Sequence, residues 1–354
     1  AFDSRFGGEN KQYFSSTVAK KWWVRAILNC LKAHSRNLGK EFALTFFLRK
    51  VGLEHDLLSY RDVRMLMVLP TSLKVYEFLI YYKLRGFLNT LLKEEAKFAY
   101  GGVQGGSTYK MMSRLRELYE TKHAVGVVLI DLVKGYEMVD LDIMKNFIKE
   151  YISDEWVKFL LINWVIYTKN VDVKVNARIL KVVRGIPMGS ILAPILFVFY
   201  VAMALKSCNT SLLLAYIDDL TYVIPKSDYR KSVENLENIV KALADVGLKV
   251  NVNKSSLVTS SPLVKRDFGF LGVKCVTEET LLGREFSIGD NDRIAVDDRY
   301  FDINNNLIAV PAWLPLSMRR MLYSGALIAK KRFKSMMWAI KSKEAKRKII
   351  VNPF

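Results

Sequence analysis

The stretch that decides the fold is Leu212 to Leu220, LLLAYIDDL, an apolar run from Leu212 to Ile217 that stops on two adjacent carboxylates, Asp218 and Asp219. The same construction occurs upstream, where Val125 to Ile130 (VGVVLI) ends abruptly on Asp131. Short continuous runs of Val, Ile and Leu read as buried central strands, which deliver a polar group to one end of a sheet. Charges left at the mouth of an apolar sheet are costly unless a cation or hydrogen bonds compensate them. A lone Asp on one strand and an Asp pair on a neighbour suit two Mg²⁺ ions about 4 Å apart, the arrangement used in phosphoryl transfer. Successive strand residues point to opposite faces, so Asp218 is expected to be the main ligand of the pair and Asp219 the peripheral one. Taken alone, an Asp-Asp pair is common and reads first as a capping or turn feature.

Between the two strands lies Arg184 to Ser190 (RGIPMGS), a turn punctuated by Gly and Pro. It leads into a predicted helix with Leu192, Ile195, Leu196, Phe199 and Met203 on its inner face and Pro194 in its first turn, where a missing N–H costs little. An amphipathic helix is predicted over roughly Tyr229 to Val246, stopped by Gly247 as a C-cap and followed by an alternating strand, Lys249 to Asn253. Upstream, helical spacing predicts a basic amphipathic helix at residues 14 to 35 and a second helix from about Ser72 to Lys93, where Val75, Leu79, Tyr82 and Leu88 recur.

The 354 residues are 51% hydrophobic and have 54 Lys or Arg against 35 Asp or Glu, a net charge of +19. Such a chain can bury a large core split into two or three subdomains, and its pI of about 9.6 points to a polyanionic partner, nucleic acid before anionic lipid. Cys30, Cys208 and Cys275 are far apart and odd in number, which suggests neither a disulfide framework nor a zinc site. An intracellular, reducing compartment is expected, nuclear or organellar (mitochondrial). Cys30 and His34 share a helix face, and core packing is the simpler reading of that pair. The longest apolar run, Ile191 to Leu205, is too short to cross a bilayer, so no membrane partner is expected. The chain opens on Ala1 rather than Met, which leaves a removed leader open.

Residues 277 to 305 change character, with eight acidic residues against three basic, and Met318 to Lys348 then has eleven Lys or Arg and one acid, Glu344. A boundary near residue 276 is expected on that basis.

Seven segments in order resemble reverse transcriptases of the non-LTR retroelement and group II intron type, over about residues 61 to 275. Tyr216 to Asp219 resembles the Tyr-x-Asp-Asp signature. Residues 131 to 140 (DLVKGYEMVD) resemble the first catalytic motif, with Lys134, Gly135, Tyr136 and Glu137 in its pattern. Residues 185 to 194 (GIPMGSILAP) are similar to Gly-x-Pro-Gln-Gly-Ser-x-x-Ser-Pro, with Met188 in place of the Gln and Ala193 in place of a Ser. The stretch around Lys254 and Phe268 to Val273 (FGFLGV) resemble the motifs that close the palm. Residues 64 to 88 resemble a fingers segment carrying Arg64, Lys74 and Glu77, and Phe98 to Thr108 is a looser match, with Gly106 where Arg is usual.

The resemblance implies an α+β, right-hand polymerase fold with fingers, a palm of antiparallel sheet plus helices, and a helical thumb. Residues 1–60 would be a basic helical extension, 61–130 fingers with a contribution from 141–184, 131–275 the palm, and 276–354 an acidic connector and basic thumb-like region. It implies an RNA-directed DNA polymerase using two Mg²⁺ ions, with Mn²⁺ as a substitute. Asp131, Asp218 and Asp219 would hold the metals. Tyr136 would lie under the incoming sugar and exclude a 2′-hydroxyl, and a filled core pocket is the other reading of that ring. Arg64 and Lys74 would meet the triphosphate, with Gly185, Met188 and Gly189 also at the substrate. Lys254 would protonate pyrophosphate, or else is simply solvated. Methionine keeps the length of Gln but offers no N–H donor, so Met188 implies altered nucleotide selection or rate.

The implied partners are an RNA template, a DNA or RNA primer, deoxynucleoside triphosphates and a ribonucleoprotein. An alternative from another class is an RNA-binding, maturase-like subunit that keeps the fold as a scaffold, favoured by Met188 and the short thumb. An RNA-dependent RNA polymerase is disfavoured by Tyr136 and by the motifs after Asp219.

Overall fold

The computed structural model describes residues 43–49, 63–69, 71–170, 172–175, 178–181, 184–227, 229–282 and 284–287. The expected N-terminal basic helix, the Cys30 and His34 pair and the thumb-like segment 318–348 lie outside these residues. The chain divides into two compact units, one drawn from residues 1–104, 132–208 and 239–249, the other from 105–131, 209–238 and 250–354.

The first unit has a four-stranded sheet in the order β2-β1-β4-β5, from β1 (Ala43–Arg49), β2 (Val63–Val68), β4 (Asp172–Val175) and β5 (Arg178–Lys181). Its helices are α1 (Thr71–Glu95), the single turn α3 (Gly135–Met138), α4 (Leu141–Tyr151), α5 (Glu155–Asn170) and α6 (Ala193–Ala204). The helix expected at Ser72 to Lys93 is therefore present and slightly longer. Asp140 starts α4 because its carboxylate accepts hydrogen bonds from the N–H groups of Asp142 and Ile143, satisfying donors that a helix start leaves open.

The sequence APILFVFYVAMA of α6 is buried on every side from Ile195 to Met203. One inner face was expected; the helix has none, because an all-apolar helix has no polar stripe to turn toward water. It packs against α1 and α4, and the ring of Tyr200 donates its hydroxyl proton to the carbonyl of Val246 at 2.6 Å.

The second unit is a five-stranded sheet in the order β6-β7-β3-β8-β9: β3 (Gly126–Asp131), β6 (Leu213–Tyr216), β7 (Asp219–Ile224), β8 (Ser256–Val258) and β9 (Lys274–Val276). All pairings are antiparallel except β8 with β9. Strand β3 is central and buried until its last residue, Asp131, as expected from the apolar run. Helix α2 (Thr108–Thr121) covers β6 and β7, with Met111, Leu115 and Leu118 buried. A hairpin, β10 (Glu278–Leu281) and β11 (Arg284–Ser287), contacts β8 through β10.

Helix α7 (Tyr229–Asp245) ends before Gly247, which adopts φ of +85° as a C-cap glycine does. The strand expected at Lys249 to Asn253 does not form. A turn follows instead, in which the N–H groups of Lys254 and Ser255 both donate to the carbonyl of Asn251, at 3.0 and 2.9 Å. The strand begins only at Ser256.

Gly102 sits at φ of +72° with its Cα facing the start of α6. A Cβ there would lie 2.9 Å from the carbonyl oxygen of Pro194. Backbone cannot withdraw as a flexible side chain can, and a positive φ already disfavours any L-residue. Gly102→Ala is expected to lower stability by at least about 1 kcal/mol in chemical denaturation, against no more than a few tenths for a tolerated change. Wild-type stability in the variant would show that this contact does not constrain the fold.

Candidate active site

Strand β6 pairs with β7 so that Tyr216 faces Asp219, leaving Ile217 and Asp218 as a two-residue connection. The apolar run was expected to continue through Ile217 and present both aspartates at its end. Instead the chain reverses there, Asp218 lies on the turn and Asp219 opens the returning strand. Two-residue hairpins need a positive φ in the turn, a conformation supplied most cheaply by Gly or Asn. Ile217 provides it at φ of +62°. A β-branched residue held in that region stores about 1–3 kcal/mol of strain, which the surrounding pairing must sustain.

The register sets Asp219 directly opposite Asp131. Side chains of facing residues in antiparallel strands project to the same face, with Cβ atoms about 5 Å apart. Asp219, rather than Asp218, is thus the direct cross-strand neighbour of Asp131. Burial pushes the Asp219 carboxyl up to about 6; the charges of Asp218 and then Asp131 add to the rise and Lys254 opposes it. All three carboxylates are close enough to repel.

Asp131 is fixed from the turn before β8. Asn251 donates its side-chain amide to Asp131 Oδ2 at 2.9 Å and its backbone N–H to the Asp131 carbonyl at 2.8 Å. The Asp131 N–H in turn donates to Ser255 Oγ at 3.0 Å. Sequence reading missed Asn251 and Ser255. Their only signal was proximity to Lys254, which is itself exposed.

Among the described residues no three acidic, His or Cys side chains converge into a ready-made metal cage. The donor set nonetheless suits a hard divalent cation: only carboxylate oxygens, mutually repelling, one fixed by an amide, at the end of a buried sheet. Positive charge placed there would relieve the repulsion that raises Asp219.

The other candidate residues belong to the first unit. Arg64 lies on β2, opposite Leu48 of β1, and Lys74 is exposed in the first turn of α1. The ring of Tyr136 stacks on Phe197 of α6, centroids 4.8 Å apart. The 184–190 loop is tied to the same segment: Ile186 N–H donates to the Tyr136 carbonyl and Gly185 N–H to that of Val139, both at 2.8 Å. Gly185 has φ of +97°, and a Cβ on it would lie 2.8 Å from the carbonyl oxygen of Glu137, so no other residue fits that approach. Met188 is half-buried and Gly189 exposed in the same loop. Tyr136, Gly185 and Met188 are thus brought together, whereas Arg64 and Lys74 are placed on other elements.

The far end of the loop is held by a buried carboxylate. Glu77 of α1 is 1% exposed. It accepts from Ser190 Oγ at 2.6 Å, from the indole N–H of Trp164 at 2.8 Å and from the Ile191 N–H at 3.2 Å. Burial raises its pKa, and the three donors oppose that rise. Beside this network a cavity of about 720 Å³ is lined by Tyr81, Tyr82, Arg85, Asn89 and Gln104 with apolar residues and no carboxylate. Aromatic faces interleaved with cations are what a nucleic-acid strand requires.

Residues 50–275 match the family model described as "Reverse transcriptase (RNA-dependent DNA polymerase)". Among solved structures, apo telomerase from Candida tropicalis truncated from its C-terminal domain is 13% identical, covering 69% of this chain and 53% of its own, with a TM-score of 0.48. Telomerase from Candida albicans in complex with a TWJ fragment of telomeric RNA is 14% identical, covering 84% of this chain and 56% of its own, with a TM-score of 0.50. The chain spans about half the length of each. The second likeness carries the fold: a mixed α+β right-hand polymerase. No curated protein sequence matches the chain.

Asp219 binds its proton more tightly in the folded chain than in the unfolded one. The stability this contributes is full below the ordinary value of 3.8 and is lost as pH rises through about 6. With chelator present, the thermal midpoint is expected to fall as pH is raised across that window, and to fall less in Asp219→Asn. Equal slopes in the two proteins would remove the raised Asp219 carboxyl as the cause.

Proposed function

Since the chain belongs to the reverse transcriptase family, we propose that it extends a DNA or RNA primer with deoxynucleotides on an RNA template. The observation that carries this reading is the register that sets Asp131 opposite Asp219, with Asp218 on the adjoining turn. Two Mg²⁺ ions bound to these carboxylates would activate the attacking 3′-oxygen and neutralise the leaving pyrophosphate.

The chain's own residues supply position and charge. Asn251 and Ser255 hold Asp131 in one orientation, and the strained turn holds Asp218 and Asp219 beside it without a search over rotamers of a flexible loop. Tyr136, braced by Phe197, presents a rigid ring that suits exclusion of a 2′-hydroxyl. Arg64 and Lys74 would meet the triphosphate, Arg64 through a planar fork of donors. Lys254, exposed and close enough to draw Asp219 downward, would release a proton to pyrophosphate. Gly185 and Gly189 let the loop backbone pass close to substrate, and Met188 offers bulk without a hydrogen bond. A ribonucleoprotein is the natural setting for a chain of net charge +19.

Primer extension on an RNA template with Mg²⁺ tests the proposal. Incorporation of dNTPs over NTPs is expected, with loss of at least about 10²-fold in Asp218→Asn, as for removal of a group that stabilises developing charge. Met188→Gln should raise the rate or tighten nucleotide selection, through a donor the methionine lacks. No extension above the Asp218→Asn control, with RNA still bound, would favour the RNA-binding scaffold instead.

A further inference from the structure

The second unit has a cavity of about 360 Å³ that the proposed chemistry does not use. Three cations converge on it, Arg114 of α2, Lys122 at the end of that helix and Lys231 in the first turn of α7. Ser211 and Ser227 also line it, as does the buried Ser232, whose side chain hydrogen-bonds Tyr222, and no described residue lining the cavity is acidic. Its wall is rigid: Asn235 donates to the carbonyl of Asn209 at 2.7 Å and to the hydroxyl of the fully buried Tyr222 at 3.2 Å.

The cations are not there to satisfy carboxylates. Lys122 and Lys231 have no acidic partner within ion-pair distance among the described residues, and Arg114 meets only Glu117, one turn along its own helix. That pair is well exposed on both sides, so it holds the guanidinium weakly and leaves most of its five donors to another acceptor. Three like charges around one concavity focus a positive potential. Hydroxyl donors among them match an oxyanion rather than an aromatic or apolar ligand.

Strand parity separates this cavity from the carboxylates. Tyr222 is three residues from Asp219 on β7, so the two side chains project to opposite faces of the sheet, about 10 Å apart along the strand. A ligand in the cavity that Tyr222 borders therefore cannot be the nucleotide undergoing reaction.

We propose that the cavity binds a backbone phosphate of an RNA strand on the side of the sheet away from the carboxylates, anchoring RNA outside the template–primer duplex. This rests on RNA being the chain's partner, as proposed above. The volume admits a phosphate with part of its ribose and leaves no room for a duplex.

The test is fluorescence anisotropy of a labelled single-stranded RNA, without primer, on the full chain at several KCl concentrations. Lys122→Gln with Lys231→Gln is compared with Lys149→Gln with Lys265→Gln, which removes the same charge from exposed positions elsewhere. The cavity variant is expected to bind about tenfold more weakly, with a salt slope shallower by one to two units, while primer extension at saturating template is unchanged. The control pair should move neither quantity to that extent. Equal losses in the two folded variants, or a matching loss of extension rate at saturating template, would overturn the assignment. So would competition by inorganic phosphate as effective, per phosphate, as unlabelled RNA, which would make this a small-anion site. Asp218→Asn should lose extension and keep RNA binding. If it keeps extension, the proposed catalytic reading fails while the cavity result stands.

Discussion

Like charges held together at the end of an apolar sheet are the constraint from which the second unit follows. Asp131, Asp218 and Asp219 raise one another's energy, and burial of Asp219 removes the water that would otherwise screen them. A fold that keeps this arrangement must fix it from several directions. β3 does so by ladder pairing on both sides, with β7 and with β8, and Asn251 does so by hydrogen-bonding a carboxylate oxygen and the carbonyl of the same residue. The hairpin does so by register. A slip of one residue between β6 and β7 would turn Asp219 to the opposite face, and the short connection through Ile217 leaves no slack for that slip.

The first unit answers a different constraint, a carboxylate with almost no exposure. An unpaired buried charge is untenable, and Glu77 persists because two side chains and one backbone N–H converge on it. Those donors come from α5 and from the start of the segment that leads into α6, so one acid locks three elements. Removing a partner would strand the others, which makes the loop carrying Gly185 and Met188 stiff at both ends: Glu77 at one, the Tyr136 and Val139 carbonyls at the other. Stiffness in a loop proposed to contact substrate is useful in the same way as the strained turn at Ile217. In each case the folded core, and not the substrate, bears the cost of positioning.

Much of this was legible from residue types. Apolar runs ending on Asp131 and before Asp218 located two strands, β3 at the centre of the sheet as expected and β6 at its edge rather than its centre, Gly247 located the end of α7, and Pro194 the start of α6. What was not legible depended on contacts from elsewhere in the chain. Ile217 has no local reason to adopt a positive φ; only the pairing of Tyr216 with Asp219 imposes it. The alternation of Lys249 to Asn253 is that of a strand, yet the carbonyl of Asn251 takes two local donors and Asp131 takes its amide, so the segment turns. Glu77 was singled out by its place in a family pattern, which says nothing of burial, and the indole that satisfies it lies 87 positions away.

The chain's charge acts on two length scales that do not substitute for one another. A net charge of +19 attracts a polyanion from a distance, but in physiological salt it is screened beyond about 8 Å. Repulsion between carboxylates on directly facing strand positions is too local for that field to relieve. Among the described residues, Lys254 is the cation that pulls the Asp219 carboxyl down, and it is exposed, so its effect is weakened by water. A strongly basic protein can therefore keep a small centre of uncompensated negative charge. Basic surface recruits nucleic acid, while the carboxylates are left with a local deficit of positive charge that a divalent cation fits and a more basic surface would not fill.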